Sequence, residues 1–178
     1  MNIVLFVGRL ALGSALLSPA VLLAQVPVAS PPPAPVPAEL LSAKKIFVSN
    51  GGSDSGLFPH PFSGDPNRGY NELFAALRAL GQYELVSGPA EADLVLELRL
   101  VAPYGPNSPN KQNGSADPLP MFRLVVYDRR THFVLWTLTN SVEVALKQQT
   151  HDRNFDEAIS SLVADFQALT RAPRATGR

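Results

Sequence analysis

Apolar and polar residues alternate most clearly between residues 93 and 101, where the sequence reads DLVLELRLV. Leucine occupies every second position, whereas Glu97 and Arg99 lie between leucines. A period of two predicts a strand with one buried face and one wet face, and such strands are usually antiparallel. Shorter runs rich in β-branched and aromatic residues predict further strands at 44–50, 83–86, 121–128 and 133–146.

Two other segments repeat apolar residues with the period of a helix. The first, 68–80, follows Asn67, which suits an N-cap, and precedes Gly81, which is placed to end a helix. The second, 155–169, carries an unbroken apolar stripe. The sequence NFDE at 154–157 resembles a capping box with asparagine in place of serine. Each helix therefore has one face suited to a core.

The resulting element order, β-α-β-β-β-β-α, predicts an α+β fold. The economical architecture is a two-layer sandwich, in which a mostly antiparallel sheet of about five strands carries two helices on one face. We expect a single domain over residues 44–170. Trp136, the lone tryptophan, lies in mid-strand and is expected to pack in the core.

The first 24 residues have the parts of a secretory signal peptide. Arg9 is their only charge, residues 10–24 are mostly apolar, and Ala24 is small enough for a cleavage site. The apolar stretch is shorter than the roughly 20 residues of a spanning helix. We expect cleavage near Ala24 and a periplasmic or secreted bacterial protein, with an uncleaved membrane anchor as the alternative.

Three segments lack the pattern of either element. Residues 25–43 open with QVPVASPPPAPVP, a composition that favours polyproline II and predicts a linker. Residues 103–120 are polar and rich in proline, and they predict a protruding loop. Residues 171–178 are predicted to be a disordered tail.

The amino-acid composition excludes several kinds of ligand and several kinds of functional site. The 178 residues include 15 Lys and Arg against 15 Asp and Glu, so the chain has no net basic charge for nucleic acid. It has no cysteine, which excludes disulfides, thiol catalysis and zinc–thiolate sites. The three histidines lack metal-ligand spacing. We expect no cofactor, no metal, no catalytic residue and no enzyme activity.

The loop at 51–67 is the candidate for binding a ligand or a partner. It leads from a strand into a helix, where anions often bind, but it lacks the glycine pattern of a phosphate cradle. Asp54, His60 and Asp65 are its polar candidates. The alternative is an ordered loop without a ligand, held in place by Leu57, Phe58 and Phe62.

Three stretches resemble a class of bacterial envelope domains: YELVSGPAEADLVLELRL, FRLVVYDRRTHFVLWTLTNSV and HDRNFDEAISSLVADF. In that class a strand ends in Asp, a short turn follows, and the next strand carries Trp. The class includes small lipoproteins of unknown function, and the amino-terminal domain of TolB and the curli-export subunit CsgG share a related topology. From Lys44 to Leu169 the chain also resembles uncharacterised exported proteins of soil bacteria.

The resemblance implies an envelope location and contact with another protein, and it assigns no functional residue. The chain departs from the lipoproteins because it lacks their anchoring cysteine. The leading hypothesis is a non-enzymatic periplasmic accessory or protein-binding domain, whose partner is another envelope protein. The alternatives are a small-ligand binder or enzyme that uses loop 51–67, and a self-assembling structural subunit built through an edge strand such as 44–49. A membrane partner is expected only if the signal is not cleaved.

Overall fold

The structure is a computed structural model that describes residues 34–102 and 119–171. The predicted signal peptide and the predictions for residues 25–33, 103–118 and 172–178 lie outside the described residues. Within them, the helices are α1 (Ala38–Ser42), α2 (Arg68–Leu80) and α3 (Gln148–Arg171). The strands are β1 (Lys45–Ser53), β2 (Glu84–Leu85), β3 (Leu94–Val101), β4 (Met121–Asp128) and β5 (Val134–Ser141).

The five strands form one mixed sheet in the order β2-β1-β3-β4-β5. Strand β1 runs parallel to β2 and to β3, whereas β3, β4 and β5 pair antiparallel. Helix α2 returns the chain to the end of the sheet where β1 began, and this makes β2 parallel to β1. The predicted α+β class with five strands is confirmed, and the pairings divide evenly between parallel and antiparallel.

The core lies between one face of the sheet and the helices α2 and α3. The alternate leucines of β3 are at most 4% exposed, as their period predicts. Gly69 brings α2 close to the sheet, because a Cβ atom there would lie 2.9 Å from Cε1 of Phe122. Trp136 is half-buried against this core. The fully buried side chains from the helices include Leu73, Leu77, Phe155, Leu162 and Phe166.

Helix α3 begins at Gln148, so the predicted start near residue 155 is wrong. Asn154 lies inside the helix, and its Nδ2 donates to the carbonyl of Glu143 at 2.9 Å instead of capping a terminus. The first turn is fixed by distant contacts, such as the 2.8 Å hydrogen bond from Gln148 Nε2 to the carbonyl of Pro61. Apolar periodicity does not report such contacts. Strand β5 ends at Ser141 and not at residue 146, because its partner β4 begins at Met121, which pairs with Ser141.

Of the two caps predicted for α2, only the one at its C-terminal end is observed. Gly81 has the left-handed φ of 61° that ends a helix, as expected. Asn67 makes no capping hydrogen bond, because its Oδ1 accepts from Nδ2 of Asn50 at 2.7 Å. At the other end of the described chain, Leu40 of α1 is 1% exposed, so the core includes a residue from the predicted linker.

Strand β1 lies between β2 and β3 in the sheet, so the assembly edge predicted at 44–49 is already paired with β2 at Lys45 and Ile46. Lys45 and Ile46 pair with β2 on one side, and Ile46 and its successors pair with β3 on the other. The outermost strands are β2 and β5. Among the described helices, none combines the length and apolar composition needed to cross a membrane.

Candidate functional site: a groove on the uncovered sheet face

The face of the sheet opposite the helices carries a short row of apolar side chains. Phe47 of β1 pairs with Val95 of β3, and Val95 pairs with Tyr127 of β4. Cross-strand partners point to the same side of a sheet, so these three side chains lie side by side. All three are half-buried. They form the floor of a groove with a volume of about 600 Å³.

The walls of this groove come from two turns. Pro89 and Ala90 belong to a short 3₁₀ helix, Pro89–Glu91, which follows β2. The opposite wall is the hairpin turn between β4 and β5, which contributes Arg129, Arg130 and His132. The groove therefore combines an apolar floor with a basic rim, and its lining comes from several separate segments of the sequence.

Asp128 shapes the hairpin turn. Its carboxylate accepts hydrogen bonds from the backbone N–H of Arg130 at 3.2 Å and of Thr131 at 3.1 Å, and from the Thr131 hydroxyl at 2.5 Å. These bonds, led by that of the Thr131 hydroxyl, hold the pKa of Asp128 below its ordinary value. His132 then takes a left-handed φ of 61°, which lets the chain turn back into β5. The carboxylate is thus committed to the turn.

Arg129 ties the turn to the neighbouring strand. Its Nε donates to the carbonyl of Ala92 at 3.2 Å, and its backbone N–H donates to the carbonyl of Asp93 at 3.2 Å. The Asp93 carboxylate in turn accepts the N–H groups of Lys44 and Lys45 at 2.8 and 2.9 Å. Those two bonds lower the pKa of Asp93. The start of β1, the start of β3 and the hairpin turn are therefore fixed relative to one another.

The three polar candidates of loop 51–67 have separate partners. Asp54 binds Arg99 Nη2 and the N–H of Ala102, both at 2.9 Å. His60 lies 3.3 Å from Gln148 Oε1. No hydrogen bond between described residues joins any two of the candidates. Asp65 accepts the N–H of Asn67 within its own turn. Leu57 and Phe62 are fully buried in the core, so they anchor the loop to the rest of the fold.

A second polar cluster joins this loop to the two long helices. Arg68 Nη1 lies 2.7 Å from Asp152 Oδ1, its Nε lies 2.7 Å from Glu72 Oε1, and its Nη2 contacts Asp156. Asp152 also accepts the N–H of Ser63 at 2.9 Å. Burial raises the pKa of Glu72. This cluster is a clamp between elements, and each of its members is already bound to another.

The described residues contain no group of three His, Asp or Glu side chains arranged to hold a metal ion. The sequence predicts only a turn at Arg129 and Arg130, too short to be a basic patch. It does not predict the groove, because floor and rim come from β1, β3, β4 and two turns. The one available signal was the Asp followed by two arginines at the end of an apolar strand.

No family model and no curated protein matches the sequence. Solved structures do match it. A DUF4136 family protein from Bacteroides thetaiotaomicron is 14% identical, with 75% of this chain and 92% of that one covered and a TM-score of 0.48. The C-terminal domain of LpoB from Salmonella enterica is 13% identical, with 57% and 83% covered and a TM-score of 0.36. A lipoprotein from Neisseria meningitidis is 13% identical, with 70% and 98% covered and a TM-score of 0.34.

These similar structures include a lipoprotein and a DUF4136 family protein. The resemblance to exported proteins of soil bacteria stays a prediction. With TM-scores below 0.5, the likeness carries no argument about function.

Proposed function

We propose that this chain is a non-enzymatic accessory domain of the bacterial cell envelope, exported to the periplasm, that binds another protein through the groove. The occupant we propose is an acidic segment of the partner that carries one aromatic or large aliphatic side chain. The observation that carries this proposal is the apolar row Phe47–Val95–Tyr127 beside the basic rim of the hairpin turn.

The floor suits an apolar anchor. Two of its three side chains are aromatic, and they offer a large contact area with little loss of side-chain entropy. The floor is open to solvent on the side where the groove lies, and a partner side chain placed there removes apolar surface of both molecules from water. Binding sites commonly depend on a few such anchors.

The rim suits a negatively charged backbone or side chain. Arg129 and Arg130 supply two guanidinium groups, and arginine binds carboxylates with two parallel hydrogen bonds. Asp128 is the acidic residue that lines the groove, and its carboxylate already accepts three hydrogen bonds from the turn. The side chain of Arg130 is exposed at the mouth. Complementary charge of this kind selects partners and speeds their encounter.

The test uses the purified full chain and a fluorescein-labelled peptide of sequence GEEFEEG. Control peptides replace Phe by Ala, or every Glu by Lys. Fluorescence anisotropy is measured with the wild type, with Arg130→Glu and with Arg78→Glu. Arg78 lies on the exposed side of α2, so the second variant makes the same charge change away from the groove.

We expect GEEFEEG to bind more tightly than either control peptide. Arg130→Glu is expected to weaken its binding about fivefold or more, which corresponds to ~1 kcal/mol for an exposed charge pair, and Arg78→Glu to leave it unchanged. Equal binding of the acidic and basic peptides, or equal effects of the two variants, contradicts the proposed groove.

Export is tested separately in a bacterial host. The full chain is expressed, the periplasmic fraction is isolated, and the intact mass of the protein is measured. We expect a mature chain that begins near Gln25, because Ala24 is suited to the cleavage position. Full-length protein confined to the cytoplasmic fraction would contradict the envelope location without bearing on the groove.

A further inference from the structure

Among the residues that the structure describes, strand β5 has a strand partner on one side of its backbone only, since it is the last strand in the sheet order. Val142 donates its N–H to the carbonyl of Pro120, on the β4 side, at 2.7 Å. Backbone groups alternate sides along a strand. The N–H and C=O groups of Thr137, Thr139 and Ser141 therefore point away from β4. These residues define the β5 edge, and their side chains are exposed.

The β5 edge lacks the features that usually prevent strands from pairing between molecules. Natural edge strands are commonly protected by lysine, proline, an inward charge or a very short length. The sequence of β5, VLWTLTNS, contains no charged residue and no proline over its 8 residues. At the opposite end of the sheet order, β2 has only 2 residues, one of them Glu84, and pairs with Lys45 and Ile46 of β1.

The large exposed apolar side chains of the described residues also gather around β5. Phe133 and Val134, at its start, are 73% and 54% exposed. Val144 and Leu146, just beyond its end, are 49% and 105% exposed. Two copies of β5 in antiparallel pairing bring the start of each strand beside the end of the other. A second copy of this chain therefore satisfies the free backbone groups and covers both apolar ends at once.

We propose that two copies of the chain associate through antiparallel pairing of their β5 edges. The two-fold axis is perpendicular to the sheet, so the pair forms one continuous ten-stranded sheet with all helices on the same side. Residues an even number of positions apart in a strand share one face of the sheet. In this arrangement Thr137 therefore lies opposite Thr137 or Thr139 of the second copy. The groove is lined by Phe47, Val95, Tyr127 and the hairpin turn, so the groove and the β5 edge use different residues and are tested separately.

The experiment is sedimentation velocity on the purified full chain over about a hundredfold range of concentration, since association follows mass action. The variants are Thr137→Lys with Thr139→Lys, and Thr137→Glu with Thr139→Glu. The matched control, Ala75→Lys with Ala79→Lys, adds the same charge to exposed positions of α2. Circular dichroism establishes that each variant is folded.

We expect the wild type and the α2 control to dimerise, each β5 variant to be monomeric, and an equimolar mixture of the Lys and Glu variants to dimerise again. A wild type that stays monomeric at every concentration overturns the proposal, as does a dimer that the Lys substitutions leave intact.

A milder variant covers the case in which the charged variants do not fold. The chain has no cysteine, so Thr137→Cys introduces a single thiol. A short bismaleimide should crosslink Thr137→Cys into dimers at a concentration where Ala79→Cys stays monomeric. Equal crosslinking of the two variants overturns the proposal.

Discussion

The guanidinium carbon of Arg68 lies 4.3 Å from the centre of the Phe155 ring. The same guanidinium binds carboxylates of Glu72, Asp152 and Asp156, so one side chain links α2 to the first turns of α3. Its side chain is only 15% exposed, which strengthens both the charge pairs and the contact with the ring. This contact positions α3 against the loop that precedes α2.

Replacing Arg68 by methionine is therefore expected to destabilise the fold. Three carboxylates would lose their shared cation, and the cost is about 2–4 kcal/mol in the free energy of unfolding. Urea denaturation followed by circular dichroism measures it. Arg78→Met, on the exposed side of the same helix, is the control and should change the value by less than about 0.5 kcal/mol. Similar losses in both variants would contradict the role given to the clamp.

Gly69→Ala is expected to destabilise the protein although it lies in a helix. Alanine usually stabilises a helix by about 1 kcal/mol relative to glycine. Here its Cβ would lie 2.9 Å from a ring carbon of Phe122, and overpacking of this kind costs about 1–3 kcal/mol. Thermal denaturation should show a lower Tm for Gly69→Ala, whereas exposed Asn71→Ala on the same helix should not lower it. A raised Tm for Gly69→Ala would show that the helix can move away from the sheet.

The pH dependence of stability should reflect Asp152. Burial disfavours its charge, but hydrogen bonds from Ser63, Arg68 and Gln148 outweigh burial and hold its pKa well below the ordinary value. A carboxylate with a lowered folded pKa stabilises the protein above its unfolded pKa, and this share is lost as the pH falls towards the folded pKa. Burial raises the pKa of Glu72, so its contribution to stability increases as the pH falls. This increase offsets part of the loss at Asp152.

Asp152→Asn should therefore flatten the fall in free energy of unfolding between about pH 5 and pH 2. Urea denaturation at a series of pH values measures the slope. Asp165→Asn, at an exposed position of α3, serves as the control and should leave the slope as in the wild type. An unchanged slope for Asp152→Asn would mean that Asp152 does not contribute to the pH dependence of stability.

Asp128→Ala should loosen the hairpin turn that forms the rim of the groove. Three hydrogen bonds to Arg130 and Thr131 are lost, so we expect faster amide hydrogen exchange at these two residues and a lower Tm. Amide exchange followed by NMR tests this at single residues. Exposed Asp165→Ala should change neither quantity. Unchanged exchange at Thr131 would mean that the turn holds its shape without the carboxylate.

The sequence by itself determined the elements whose burial follows their own periodicity. The alternate leucines of β3 and the stripe on 155–169 are decided locally, because side-chain direction repeats every two or 3.6 residues. Gly81 ended its helix as expected, since glycine adopts a left-handed φ at little cost. These local rules were sufficient for the α+β class and the five strands.

Tertiary structure decided the features that depend on residues distant in the chain. The early start of α3 rests on contacts of Gln148 and Asp152 with loop 51–67. The groove exists because Phe47, Val95 and Tyr127 lie side by side on three neighbouring strands. Strand β5 is at the edge because β1 takes a place inside the sheet order. Strand order is a property of the pairing between segments, so no pattern within a single segment reveals it.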